Sequence, residues 1–155
     1  MTKYVALLRG INVGGNNLIK MNILKTAFEE MDFNNVKTHI QSGNVLFETK
    51  TTDKKELEMT IEKALSTKFK YNAKVLVRSK SDMENTINNI PKIFANPDWK
   101  HNVIFLSNVI DSKEILDEFK IKEDIEEISY INGVLFWSAK MESITKSTML
   151  KLSAK

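Results

Sequence analysis

The chain of 155 residues contains no cysteine, two prolines, two histidines and, among 23 basic residues, only two arginines. Each shortage removes a class of function. Without cysteine there is no disulfide scaffold, no thiolate metal site and no thiol redox chemistry, a usage that suits a reducing compartment. The two histidines, His39 and His101, stand too far apart to form a metal-binding spacing. No apolar run approaches the roughly 20 residues needed to span a bilayer, and the N-terminus does not couple a basic stretch to a long apolar one. These absences point to a soluble, cytoplasmic protein with no membrane partner. Twenty acidic residues nearly balance the basic ones and leave a net charge of +3, which is not the profile of a dedicated duplex-DNA binder.

What is present is a chain 42% hydrophobic, enough for one compact unit or two small halves. Of its five glycines, three fall within six positions in Leu7-Leu8-Arg9-Gly10-Ile11-Asn12-Val13-Gly14-Gly15-Asn16-Asn17, directly after an apolar run. Glycine accepts positive φ and allows close backbone approach, so the clustering marks a loop of unusual geometry. Arg9 enters this loop and Lys20 follows it. Exposed N–H groups flanked by cations suit an anion or phosphate, although a wide strand-to-helix connection would read the same way. The spacing is Gly-x-x-x-Gly-Gly, which is neither a P-loop nor a dinucleotide fingerprint.

The order of elements predicts fold class α+β. Residues 4–8 read as a strand buried on both faces, and Met21, Leu24, Phe28 and Met31 recur at helical spacing. Residues 36–40 and 45–48 form a hairpin about Gln41-Ser42-Gly43-Asn44. Asp53 and Glu56 form a capping box for a helix carrying Leu57, Ile61, Ala64 and Leu65, and residues 75–77 add a strand. This is the β-α-β-β-α-β ferredoxin-like unit, over residues 1–78. A short helix from Ser81 and a connector holding Pro91 and Pro97 fill residues 79–101. A second, C-terminally incomplete ferredoxin-like unit occupies 102–155. It has a strand at 103–106, a helix at 111–119 capped by Asp111, a hairpin at 128–131 and 134–138, and a lysine-bearing segment from Ser143 to Lys155 that ends in helix. The shared Val-Leu-Phe of Val45-Leu46-Phe47 and Val134-Leu135-Phe136 suggests an internal duplication, or only common strand propensity.

In the usual antiparallel order, residues 9–17, 41–44 and 70–72 meet at one end of the first sheet and enclose a polar recess, with Arg78 at the other end. The expected ligand-binding set is Arg9, Gly10, Asn12, Gly14, Gly15, Asn16, Lys20, Gln41, Ser42 and Asn44, for a small anionic ligand such as a nucleotide or phosphorylated metabolite. The set holds no carboxylate, so no catalytic constellation emerges; His39 beside Ser42 is better read as a surface histidine and a turn serine. No metal set and no cofactor is indicated. Sheet-mediated RNA binding is disfavoured, because Gly43-Asn44-Val45-Leu46-Phe47 lacks the aromatic RNA-binding consensus. The alternatives are a protein-interaction or homodimerisation module using open sheet edges, and an enzyme of unknown reaction or, less favoured, an RNA-binding domain.

Tyr4-Val5-Ala6-Leu7-Leu8-Arg9-Gly10-Ile11-Asn12-Val13-Gly14-Gly15, followed about thirty positions later by Ile40-Gln41-Ser42-Gly43-Asn44-Val45-Leu46-Phe47, resembles the bacterial family catalogued as domain of unknown function 1697. The resemblance covers essentially the whole chain. It implies two ferredoxin-like subdomains in one chain and implies no established activity, substrate or cofactor. Members of that family usually continue past Leu150-Lys151-Leu152 into a segment with a tyrosine and a Thr-x-Arg-Asn-type motif, which this sequence lacks. The resemblance therefore implies a shortened form whose second unit leaves an apolar border open to pairing.

Overall fold

The computed structural model describes residues 1–12, 15, 17–40 and 43–148. The protein is of mixed α+β type with two antiparallel sheets, and it divides into two compact units, Met1–Glu84 and Asn85–Lys155.

The first unit runs β1 (Thr2–Arg9), α1 (Met21–Glu29), β2 (Asn34–His39), β3 (Asn44–Thr49), α2 (Lys54–Phe69) and β4 (Lys74–Ser79). Its strands lie in the order β2-β3-β1-β4, every neighbour antiparallel. The helix α3 (Lys80–Asn88) follows and contains the division between units. Tyr4, Ala6 and Leu8 of β1 are buried while Val5 and Leu7 are half-buried, so the strand is closed over on one face only and not on both as expected. The closed face holds one core in which Leu24 and Phe28 of α1 and Leu57, Ile61 and Leu65 of α2 join Val45, Phe47, Val75 and Val77. Phe47 stacks on Phe33 at 4.5 Å and on Tyr4 at 5.6 Å. Each such side chain contributes about 1.5–3 kcal/mol by leaving water. The predicted start of α2 is as expected: the Asp53 carboxylate accepts from the N–H groups of Lys55 and Glu56 at 2.9 and 3.2 Å.

The outer edge of β4 is sealed from within the chain. The N–H groups of Ala73, Val75 and Val77 donate to Ser66 Oγ, Glu62 Oε1 and Glu58 Oε1, each at 3.0 Å. Ser79 N–H donates to Asp82 Oδ2 at 2.9 Å. The match arises because four helical residues advance about 6 Å and two strand residues advance about 6.6 Å, so α2 presents one acceptor per outward N–H. Burial raises the Glu58 carboxyl above its ordinary range despite the bond from Val77. Burial also works to raise Asp82, but bonds from Lys54 and Ser79 outweigh it and hold that carboxyl low.

The second unit holds β5 (Trp99–Phe105), β6 (Glu126–Ile131) and β7 (Val134–Lys140) in the order β5-β7-β6. Three expectations are corrected here. Strand β5 begins four residues before Val103, so His101 is a strand residue and not part of a connector. The helix expected at 111–119 is a 3-10 turn, Lys113–Glu118, whose expected cap is engaged elsewhere. Asp111 does not cap it; its Oδ1 accepts from Tyr130 Oη and Gly133 N–H, both at 2.7 Å, and so fastens the β6–β7 hairpin. The last described element is a 3-10 turn, Met141–Lys146, and residues 149–155 of the expected final helix lie outside the described residues. Every residue from Val134 to Ala139 is buried, with Trp137 fully enclosed and 5.1 Å from Phe119. The buried Glu126 carboxylate is satisfied by Lys122 N–H at 2.9 Å, Thr148 N–H at 2.7 Å and the Thr148 hydroxyl.

Candidate functional site

The registers of the first sheet decide which candidate residues share a neighbourhood. Leu7 lies opposite Asn44, Arg9 opposite Lys74, and Leu8 N–H donates to Gly43 O at 3.0 Å. The end of β1, the β2–β3 turn and the start of β4 therefore adjoin at one end of the sheet, while Arg78 pairs with Val5 further along. Gly14, Asn16, Gln41 and Ser42 lie outside the described residues.

The described positions on either side of the loop after β1 are tied together by amides. Asn12 Oδ1 accepts from Ile19 N–H at 2.8 Å and Asn12 Nδ2 donates to Ile19 O at 3.1 Å. Asn17 Nδ2 donates to Gly10 O at 3.0 Å, and Asn12 N–H donates to Asn17 O at 3.2 Å. Asn12 thus serves as the clasp of the loop. Gly10 and Gly15 have φ of +75° and +77°, with open space where a Cβ would stand, and both are exposed. Lys20, also exposed, precedes α1, whose first turn has no side-chain cap and no acidic residue.

The junction between loop and turn differs from the expected polar recess. Gly43 has φ +90°, and a Cβ there would lie 2.7 Å from Ile11 Cδ1 and 2.9 Å from Leu8 Cβ. Ile11 is 1% exposed, so hydrocarbon closes the gap above the turn glycine. Polar groups at this end of the sheet are left on its surface. Arg9 and Lys74 stand there as direct cross-strand partners, both exposed, and neither has an ion-pair partner among the described residues. Like charges placed directly opposite in an antiparallel pair repel, so the arrangement is unfavourable without a counter-charge. Lys74 was missed in the sequence. Its signal was the alternation Lys74-Val75-Leu76-Val77-Arg78, which puts cations and Leu76 on the face away from the core.

The same parity sorts the rest of that open face. One row reads His39–Asn44–Leu7–Leu76, and the next reads Lys37–Leu46–Val5–Arg78. His39 is exposed at the end of β2, as expected of a surface histidine. Beyond these rows the one carboxylate of the face, Glu48, meets Lys3 at 3.8 Å and accepts from Asn35 at 2.8 Å.

A second polar cluster, 37 positions apart in sequence, escaped sequence reasoning. His101 Nε2 lies 2.8 Å from Asn96 O, which can only accept, and in the neutral ring that leaves Nδ1 to accept a hydrogen bond from the Ser138 hydroxyl at 2.8 Å. A serine on an imidazole has the form of a nucleophile and its base. Here Ser138 sits in mid-strand, buried between paired strands, and Phe94 stacks on the imidazole at 4.6 Å. The adjoining cavity of about 110 Å³, bounded by Phe94, Phe136 and Ser138, is small. This cluster ties β5 to β7 and to the segment before it. Among the described residues, no three His, Cys, Asp or Glu gather as metal ligands, and no helix is long and apolar enough to cross a membrane.

Comparison with known proteins adds a family and a fold. A family model described as a protein of unknown function, DUF1697, matches residues 1–137. The chain is similar to a solved conserved bacterial protein from Streptococcus pneumoniae, with 23% identity over 96% of this chain and 83% of that one, and a TM-score of 0.84. No curated protein matches the chain.

Proposed function

Since the chain belongs to the DUF1697 family of proteins of unknown function, its role has to be read from the site, and we propose that the first unit binds a small anionic ligand, a nucleotide or phosphorylated metabolite, at the end of its sheet. The observation that carries this reading is the Arg9–Lys74 pair: two exposed cations side by side with no ion-pair partner among the described residues. A phosphate between them would turn repulsion into two charge-assisted contacts, with the arginine able to bind in bidentate fashion. Lys20, the uncapped start of α1 and the open backbone of Gly10 and Gly15 would complete the contact, with Asn44, Gly14, Asn16, Gln41 and Ser42 as further candidates. On this reading the ligand would lie on the surface beside the loop, because Ile11 occupies the interior. The absence of cysteine supports a cytoplasmic setting.

The element and strand order of the first unit supports a ferredoxin-like unit over 1–78, and β5-β7-β6 supports an incomplete second one over 102–155, joined through 79–101. The alternative of edge-strand pairing finds no support at β4, whose outward donors are occupied.

Titration of the full chain with inorganic phosphate and with ATP, followed by amide shifts and thermal unfolding, tests the proposal. Shifts should centre on residues 9–20 and 74, and Arg9→Ala with Lys74→Ala should weaken binding at least tenfold while leaving the fold intact. Absence of any shift, or equal binding by the folded double variant, rejects it.

A further inference from the structure

The open face of the first sheet is the largest feature that the small-ligand reading leaves unexplained. Among the described residues its strands present Arg9, Lys37 and Lys74, while their carboxylate Glu48 is already engaged by Lys3 and Asn35. Inside this rim lie four aliphatic side chains, Val5, Leu7, Leu46 and Leu76, of which Leu46 is 47% exposed.

The second sheet shows how the corresponding face is treated when it is covered. In both units a turn glycine of positive φ, Gly43 or Gly133, accepts through its carbonyl the N–H of Leu8 or Leu106. Counting from those glycines, Leu46 corresponds to Phe136. Phe136 is buried, with the ring of Phe94 edge-on at 5.7 Å, and Phe94 belongs to a 3-10 turn, Lys92–Ala95. A helical segment with an apolar side chain thus covers one face, while its counterpart is exposed at the equivalent position.

We propose that the open face of β1–β4 is a docking surface for an amphipathic helix of another protein, with aliphatic residues facing Leu46 and carboxylates along both flanks. A helix about 10 Å wide spans two strand spacings of about 4.8 Å, which is the distance from Leu46 across Val5 to the β4 side. Carboxylates on one flank then meet Lys37, and those on the other meet Arg9 and Lys74. A second copy of this chain does not fit, because it would bring two cationic faces together. Single-stranded nucleic acid fits less well, because the aromatics Tyr4 and Phe47 are turned into the core and leave no stacking platform. The proposal goes beyond the small-ligand reading and shares Arg9 and Lys74 with it, while Lys37 and Leu46, away from that end, tell the two apart.

The test uses isotope-labelled full chain and a synthetic helical peptide of about 18 residues with one leucine face and glutamate flanks. Amide shifts should map to the open-face residues of β1–β4. Leu46→Glu, at an exposed site, and Lys37→Glu should each weaken binding roughly tenfold or more, while phosphate binding at Arg9 and Lys74 is unchanged. Four results overturn the proposal: no shift up to about 1 mM peptide; equal binding of a lysine-flanked peptide; shifts centred elsewhere; or tighter binding at this face by an oligonucleotide or by vesicles of anionic lipid.

Discussion

The two hairpins, β2–β3 and β6–β7, use one backbone device to opposite ends. Each turns on a glycine of positive φ, +90° at Gly43 and +78° at Gly133, whose carbonyl receives an N–H from the end of the neighbouring strand, at 3.0 Å from Leu8 and 2.8 Å from Leu106. Four residues on, Phe47 and Trp137 are both enclosed in their cores. Three residues on, Leu46 stands in solvent and Phe136 is covered. The backbone fixes which side chains share a face, and only the layer laid over that face decides whether it is interior. Within the first unit the described helices α1 and α2 both pack on the opposite face, so the exposure of Leu46 does not come from a different strand geometry.

The largest change expected within this comparison is at the shared core position. Phe47→Ala and Trp137→Ala should each destabilise their own unit by about 3–5 kcal/mol, read by urea unfolding with amide signals from each unit. Both tryptophans, Trp99 and Trp137, lie in the second unit, so indole fluorescence reports that unit and an unchanged fluorescence midpoint in Trp99-only protein would contradict the assignment. Next in size is Gly43→Ala, about 2–4 kcal/mol from a Cβ in a left-handed backbone that also meets Ile11. Shortening the obstructing chain with Ile11→Val should recover part of that loss.

A smaller effect, about 1 kcal/mol, is expected for Glu58→Ala, which leaves Val77 N–H without its acceptor. Its pH dependence has a defined sign. Because the folded Glu58 carboxyl is raised above 4.5, its contribution is complete below the unfolded value and is lost as pH rises through the folded value. Asp82 runs the other way: held below 3.8, it stabilises above the unfolded value and loses that contribution as pH falls through the folded one. Glu58→Gln keeps an acceptor and should flatten the first slope, while Asp82→Asn should flatten the second. Equilibrium unfolding between about pH 3 and 7 separates them. The smallest effect is at the exposed hairpin position, where Leu46→Ser should change stability by no more than about 0.5 kcal/mol, against several for Phe136→Ser.

Much of the first unit was legible because its signals are local. Helical spacing at Leu24 and Phe28, the Asp53 cap and the turn at Gly43 each depend on a few adjacent residues. The second unit was read less well where a local rule met a long-range competitor. Asp111 has the look of a helix cap, yet Tyr130 and Gly133 claim its carboxylate. The Val-Leu-Phe match was misleading in a specific way. Aligning the turn glycines places Val45 with Leu135 and Phe47 with Trp137, one residue out of step with the letters. In a strand a one-residue slip exchanges the faces, so identical letters point opposite ways. At the candidate site, Arg9 and the convergence of β1, β3 and β4 ends could be anticipated from topology. Lys74 could not be recognised without the register, and the closure of the junction by Ile11 could not be recognised without the packing.

The ladder from Ser66, Glu62 and Glu58 to β4 has a consequence for assembly. Open-ended polymers that grow by adding sheet to sheet need two receptive borders on every subunit, one to accept and one to offer. In the first sheet one border is permanently occupied by α2, and the other, β2, carries a register irregularity between Asn34 and Lys37. Growth through this sheet would have to terminate at a closed pair, so the helix that buries the core also acts as a guard against fibrils.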